Sequence, residues 1–140
     1  MGLVALATVL ADQASKAWAL GALAGGRTVD LLGSALSLRL VHNSGAAFSI
    51  GEGSTIVMTV IAVGIVAVVL RAARKLGSTP WAVVLGLVVG GALGNLIDRF
   101  TRPPGPGRGA VVDFIDYGGL FVGNVADIAI VGAALVIALL

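Results

Sequence analysis

Apolar residues along this chain fall into four long runs, separated by connections that are polar or rich in glycine. A helix that crosses a membrane needs roughly 20 mainly apolar residues. Ser54 to Leu70 carries no charge and runs on through Ala73 once Arg71 reaches back to the interface. Pro80 to Ile97 has one polar residue, Asn95, and Phe121 to Leu140 has Asn124 and Asp127 near its start. Met1 to Leu23 is interrupted by Asp12 and Lys16, which are four apart, share a helix face and can neutralise each other. These runs predict spanning helices over about 1–22, 54–73, 80–98 and 120–140. A cleaved signal sequence is the alternative for the first run. No basic segment precedes it and no clean small-x-small site follows it, so a retained helix is expected. The chain begins and ends inside apolar runs, so either end can be shorter than in relatives.

A second period lies between the first two runs. Leu36, Leu38 and Leu40 alternate with Ser37, Arg39 and Val41, the two-residue repeat of a half-buried strand. Thr28 to Leu32 can pair with it across Gly33-Ser34. A small outer sheet is therefore expected over about 27–43. An outer loop is expected over about 99–118, irregular through Arg102-Pro-Pro-Gly-Pro-Gly-Arg108 and a candidate gate. The expected architecture is a single domain, residues 1–140: an all-α membrane bundle of four transmembrane helices with a small extracytoplasmic sheet or cradle and a loop.

Composition narrows the class. Hydrophobic residues are 58% of the 140 and charged residues 11%, too few charges to cover a soluble surface. This excludes a disordered chain and a basic nucleic-acid binder. There is no cysteine, which removes disulfides, thiolate zinc sites and cysteine nucleophiles, and one histidine makes no metal site. The net charge of +2 is small and scattered. The short linker between the second and third runs holds Arg71, Arg74 and Lys75. The long connections hold Arg27, Arg39, Arg99, Arg102 and Arg108, so basic residues alone do not orient the bundle. The acids do separate. Asp12, Asp30, Glu52, Asp98, Asp113, Asp116 and Asp127 all fall in the half with the long connections, and that face is expected to carry the chemistry.

Gly86, Gly90, Gly94 and Asp98 form one stripe on the third helix. Close helix packing explains the glycines, and Asp98 with Arg99 reads equally as an interfacial anchor or as part of a site. Asp113 lies within Val111-Val112-Asp113-Phe114-Ile115, where a carboxylate is costly unless hydrogen-bonded or protonated. Taken alone it reads also as a surface aspartate on a strand or turn. Asp127, one turn from Asn124, reads also as a charge complementing a helix N-terminus. Asp116, near a Gly-Gly turn, is expected to be solvated, and His42 to be a surface or sheet residue. Two aspartates at the membrane edge suggest a carboxyl pair sharing one proton, the chemistry of aspartic peptidases. No serine lies in a Gly-x-Ser-x-Gly context.

Five blocks in order now resemble one family. They are Asp12-Gln13-Ala14-Ser15-Lys16; His42-Asn43-Ser44-Gly45-Ala46-Ala47-Phe48-Ser49; Gly90-Gly91-Ala92-Leu93-Gly94-Asn95-Leu96-Ile97-Asp98-Arg99; Val111-Val112-Asp113-Phe114-Ile115; and Asn124-Val125-Ala126-Asp127. The chain is similar over nearly its whole length to the bacterial lipoprotein signal peptidases, or signal peptidase II. The resemblance implies an aspartic endopeptidase that cleaves prolipoproteins before a diacylglyceryl-modified cysteine, without metal or other cofactor. It implies Asp113 and Asp127 as the catalytic pair. Asp12, Lys16, Asn43, Gly91, Asn95, Arg99, Asn124 and Ala126 match positions that shape the site or hold substrate. It also implies the cytoplasmic (inner) membrane, a site on the extracytoplasmic side and both termini in the cytoplasm. The partners are then the prolipoprotein and membrane lipid, not nucleic acid, and the chain is expected to be a monomer. On this reading the substrate's lipid lies between helices, the peptide threads under the sheet, and Asn43, Asn95 and Arg99 hold its carbonyls.

Two positions depart from the pattern. Gly123 stands where the family usually has Phe before the Asn, which either widens the pocket or leaves Phe121 to substitute. The Arg99 to Gly109 loop looks longer than the family minimum. Two other readings of the residues remain: a small proton-coupled transporter using Asp12, and an assembly protein using the glycine stripe as its interface.

Overall fold

The computed structural model describes residues 1–45, 54–75 and 77–139. Residues 46–53, which include Ala46, Ala47, Phe48, Ser49 and Glu52, lie outside the described residues, as do 76 and 140. Four helices and four strands follow in the order α1 Gly2–Ala22, β1 Thr28–Asp30, β2 Ser37–Asn43, α2 Ser54–Ala73, α3 Thr79–Thr101, β3 Val111–Asp116, β4 Val122–Gly123 and α4 Val125–Leu139.

α3 is the central helix and packs against the other three. Its glycine stripe lets α1 lie against it in parallel. A Cβ at Gly86 would lie 2.8 Å from Met1 O, one at Gly90 2.6 Å from Thr8 Cβ, and one at Gly94 2.5 Å from Asp12 Oδ2. The stripe is spent inside the chain, so it does not supply the outward interface of an assembly protein. Gly91, on another face, admits α4: its Cβ would lie 2.7 Å from Ala126 O. α2 packs chiefly on α3 and buries Thr55 and Thr59, leaving Val57, Val60 and Val68 outward. An apolar exposed face suits lipid rather than water. By length and composition, α2 and α3 qualify as membrane spans, with mean hydropathies of 2.6 and 1.8.

The expected hairpin is present. β1 and β2 pair antiparallel, with Thr28 opposite Arg39 and Asp30 opposite Ser37. Leu38 and Leu40 pack against Ala19, Leu23 and Phe114, and the Trp18 ring meets Phe114 edge-on at 6.4 Å. This cluster seats the sheet on the end of α1. Truncating a buried Phe such as Phe114 costs about 3–5 kcal/mol.

The region expected as a loop over 99–118 is corrected by the structure. α3 continues to Thr101, and Val111–Asp116 is β3, an inner strand of the antiparallel sheet β1-β2-β3-β4. Both faces of β3 are covered, so Val111, Val112 and Phe114 read as one apolar run instead of an alternation. The sheet therefore extends well beyond 27–43. The last helix begins at Val125 rather than near 120, because Val122 and Gly123 pair with Asp116 and Ile115. The Pro/Gly segment is held at several points: Gly109 N–H donates to Arg99 O at 2.9 Å, and Thr59 Oγ1 donates to Gly107 O at 2.7 Å. Only glycine fits at 109, where a Cβ would lie 2.3 Å from Asp98 O.

Candidate active site

The start of α4 is a reciprocal cap. Asn124 N–H donates to Asp127 Oδ2 at 3.1 Å, and Asp127 N–H donates to Asn124 Oδ1 at 3.0 Å. This is the capping-box logic with Asn and Asp in place of Ser and Glu. The dipole reading of Asp127 is thus correct and incomplete, because the cap also fixes the carboxyl in space. The other end of the Asn124 side chain reaches β3, where Nδ2 donates to Asp113 Oδ1 at 2.7 Å. One buried residue therefore ties both carboxyl groups to the junction of helix and sheet, Asp113 through its side-chain amide and Asp127 through its backbone N–H.

Each aspartate has a further amide donor. Asn43 Nδ2 donates to Asp113 Oδ2 at 3.0 Å, and Asn95 Nδ2 donates to Asp127 Oδ1 at 3.2 Å. Asp113 is 2% exposed. Burial is the main force that raises its carboxyl, to about 6 once its neighbours are counted. Within that balance the donors Asn43 and Asn124 pull it down and the Asp127 charge adds to the rise.

Behind this pair lies a charged cluster with no exposed surface. Lys16 Nζ is 2.8 Å from Asp12 Oδ2 and 2.9 Å from Asp98 Oδ2, and donates to Asn95 Oδ1 at 3.0 Å. Asp98 also receives Arg102 Nε at 2.9 Å and Val112 N–H at 3.0 Å, so it is an internal hub rather than an interfacial anchor. Asp12 Oδ1 accepts Ala126 N–H at 3.0 Å. Among the described residues no buried side-chain polar atom lacks a partner. That completeness makes a buried charge cluster tolerable. Asp12 is enclosed by these bonds, which disfavours it as an open proton site for transport.

The structure brings Asp113, Asp127, Asn43, Asn95 and Arg99 to the wall of one cleft of about 250 Å³, opposite Met58, Ile61 and Ile65 of α2. Their donors are engaged internally as well: Arg99 Nη1 donates to Asn43 O and to Gly109 O, both at 2.9 Å. Asn124, Asp12 and Lys16 stand behind the wall, and Gly91 and Ala126 shape it by close packing. Gln13 escaped sequence reasoning; its Nε2 donates to Gly94 O at 3.0 Å and to both Asp12 and Asp98. Its place beside Asp12 in the first block was the available signal. Asp116 is not simply solvated. It is 2.5 Å from Arg39 Nε and accepts Gly119 N–H at 2.7 Å, contacts that hold its carboxyl below the usual range. His42 lies exposed on β2, as expected. Gly123 leaves no void: a Cβ there would lie 2.7 Å from Phe121 Cε1, so the Phe121 ring covers the position. Among the described residues no group of three or more His, Asp or Glu converges as a metal site would.

A carboxyl centre held between a helical bundle and a covering sheet is the architecture of a membrane enzyme. Two solved structures described as bacterial membrane enzymes superpose on the chain with TM-scores of 0.84 and 0.81, each at 28% identity. They cover 99% and 98% of this chain, and 90% and 84% of theirs. The family model for signal peptidase (SPase) II matches residues 4–140, and the chain belongs to that family. Lipoprotein signal peptidases similar to it include those of Rhodococcus jostii (50% identical), Mycobacterium avium (49%) and Streptomyces griseus (47%). The alignments cover 98%, 96% and 98% of this chain, and 68%, 74% and 70% of those relatives.

Proposed function

We propose that the chain removes signal peptides from diacylglyceryl-modified prolipoproteins as an aspartic endopeptidase, with Asp113 and Asp127 as the catalytic pair. The observation that carries this reading is Asn124, whose side-chain amide donates to the Asp113 carboxyl and whose backbone N–H donates to the Asp127 carboxyl, holding both at one cleft. Two carboxyls so placed hold one proton between them. The ionised partner takes a proton from water, which attacks the carbonyl before the lipid-modified cysteine. The neutral partner then protonates the leaving amine. Asn43 and Asn95 hold the carboxyls for these steps, and Arg99, also on the cleft wall, faces the peptide backbone.

The reading includes four membrane spans in the cytoplasmic membrane. The sheet lies on the extracytoplasmic side, both termini lie in the cytoplasm, and the chain acts as a monomer. It is supported by the outward apolar faces of α2 and α4 and by the gathering of sheet and carboxylates at one end of the bundle. The test is cleavage of a diacylglyceryl-modified prolipoprotein by the detergent-purified protein. Cleavage that survives chelator and disappears in both Asp113→Asn and Asp127→Asn is expected. Full cleavage by either variant would refute the assigned pair.

A further inference from the structure

Phe121 borders two cavities. One is the cleft that holds Asp113 and Asp127. The other is an apolar groove of about 420 Å³ that runs from Tyr117 along α4 past Val131 and Gly132 to Leu135. Phe121 and Asp127 are the two residues common to both linings, so the Phe121 ring stands on the partition, beside a carboxyl of the pair.

The ring sits there because Gly123 has no side chain. A Cβ at 123 would lie 2.7 Å from Phe121 Cε1, 3.3 Å from Phe121 Cζ and 2.9 Å from Asp127 Oδ2. The backbone at 123 does not itself require glycine, since its φ is not in the left-handed region. The requirement is space for an aromatic ring against the carboxyl. The ring is also braced. Tyr117 stacks on it with centroids 6.1 Å apart and planes 20° from parallel. Tyr117 N–H donates to Phe121 O at 2.8 Å, closing a turn through Gly118 (φ 67°) and Gly119 (φ 80°). Asp116 Oδ1 holds that turn by accepting Gly119 N–H at 2.7 Å.

We propose that Phe121, braced by Tyr117 and admitted by Gly123, is a specificity-determining wall of the cleft. It separates the peptide site from the apolar groove and limits the bulk of the substrate side chain just before the cleaved bond. This rests on the peptidase reading above. A side chain seated against the Asp113–Asp127 pair meets the ring. Removing the ring joins cleft and groove and makes room for a larger apolar side chain.

The experiment compares two diacylglyceryl-modified prolipoproteins that differ only at the residue before the cleaved bond, Ala in one and Leu in the other. Wild type is expected to prefer Ala. Phe121→Ala is expected to raise the Leu/Ala ratio of kcat/KM at least tenfold, mainly through KM, with Phe121→Leu intermediate and Tyr117→Ala weaker in the same direction. Gly123→Ala puts a Cβ 2.7 Å from Phe121 Cε1, displaces the ring and is expected to shift the ratio from that of wild type. Should that variant fail to fold, Phe121→Ala/Gly123→Ala removes the clash with the ring, leaving only the 2.9 Å approach to Asp127 Oδ2, and is expected to keep the raised ratio. A ratio within twofold of wild type in Phe121→Ala, with both substrates slowed alike, would make the ring merely structural and overturn the wall. Failure of wild type to cleave either substrate would instead overturn the peptidase reading, and the wall with it.

Discussion

Asn124 and Asp127 hold one another at the start of α4, each backbone N–H bonded to the other's side-chain oxygen at 3.1 and 3.0 Å. The same Asn124 side chain donates to Asp113 at 2.7 Å. Local helix capping and the alignment of two carboxyl groups are therefore one structural event. Asn124→Ala removes the cap and leaves buried polar groups unpaired, at a cost of about 2–4 kcal/mol. Its kcat is expected to fall by about two orders of magnitude, the scale of a lost positioning contact, with KM little changed. A KM increase at constant kcat would place Asn124 in substrate binding instead.

Asp113 gives a stability signature that depends on pH. Its folded carboxyl sits near 6, above the ordinary 3.8, so folding favours the protonated form. The resulting stabilisation is complete below about pH 4 and is lost as pH rises through about 6. Asp113→Asn does not titrate. Its melting temperature relative to wild type is expected to rise between pH 4 and pH 8, by the equivalent of no more than about 3 kcal/mol. A difference that stays flat across that range would refute a raised Asp113.

Lys16 is the only cation wholly enclosed among the described residues, and it faces Asp12 and Asp98 together. Lys16→Met leaves Asp12 without a counter-charge and Asp98 with Arg102 alone, a loss on the order of 3–5 kcal/mol. Denaturant unfolding in detergent should show it. Adding Asp98→Asn to Lys16→Met is expected to recover part of the loss, and strict additivity of the two would argue against direct coupling.

Glycines on two helices should respond oppositely. Gly94→Ala puts a Cβ 2.5 Å from Asp12 Oδ2 and is expected to force α1 from α3, lowering both stability and activity. Gly64→Ala on α2 meets nothing within 4 Å, and removing glycine's backbone freedom there is expected to stabilise by up to about 1 kcal/mol. Thermal unfolding of the two variants side by side checks the contrast.

The four helices were legible because long apolar runs are strong signals. The hairpin was legible because Leu36, Leu38 and Leu40 alternate with their neighbours. β3 was hidden, since a strand covered on both faces loses its alternation and looked like part of a loop. The Asp12–Lys16 pair could be read from helical spacing, whereas Asp98 and Gln13 could not be placed on it, because helix-to-helix proximity is not written in local periodicity. The Asn124–Asp127 spacing announced a charge at a helix N-terminus, not the reciprocal cap. Only the fold shows that the same amide reaches β3.

The bond from Ala126 N–H to Asp12 Oδ1 joins the beginning of α4 to the middle of α1. α1 leaves the ribosome early and α4 late, so this contact forms only after the intervening helices and strands have been made. The cap of Asn124 and Asp127 is local to the start of α4, but until α4 is made Asp113 lacks the Asn124 amide. The two carboxyls therefore come together only once α4 has been made, and a chain synthesised no further than β3 carries one of them alone.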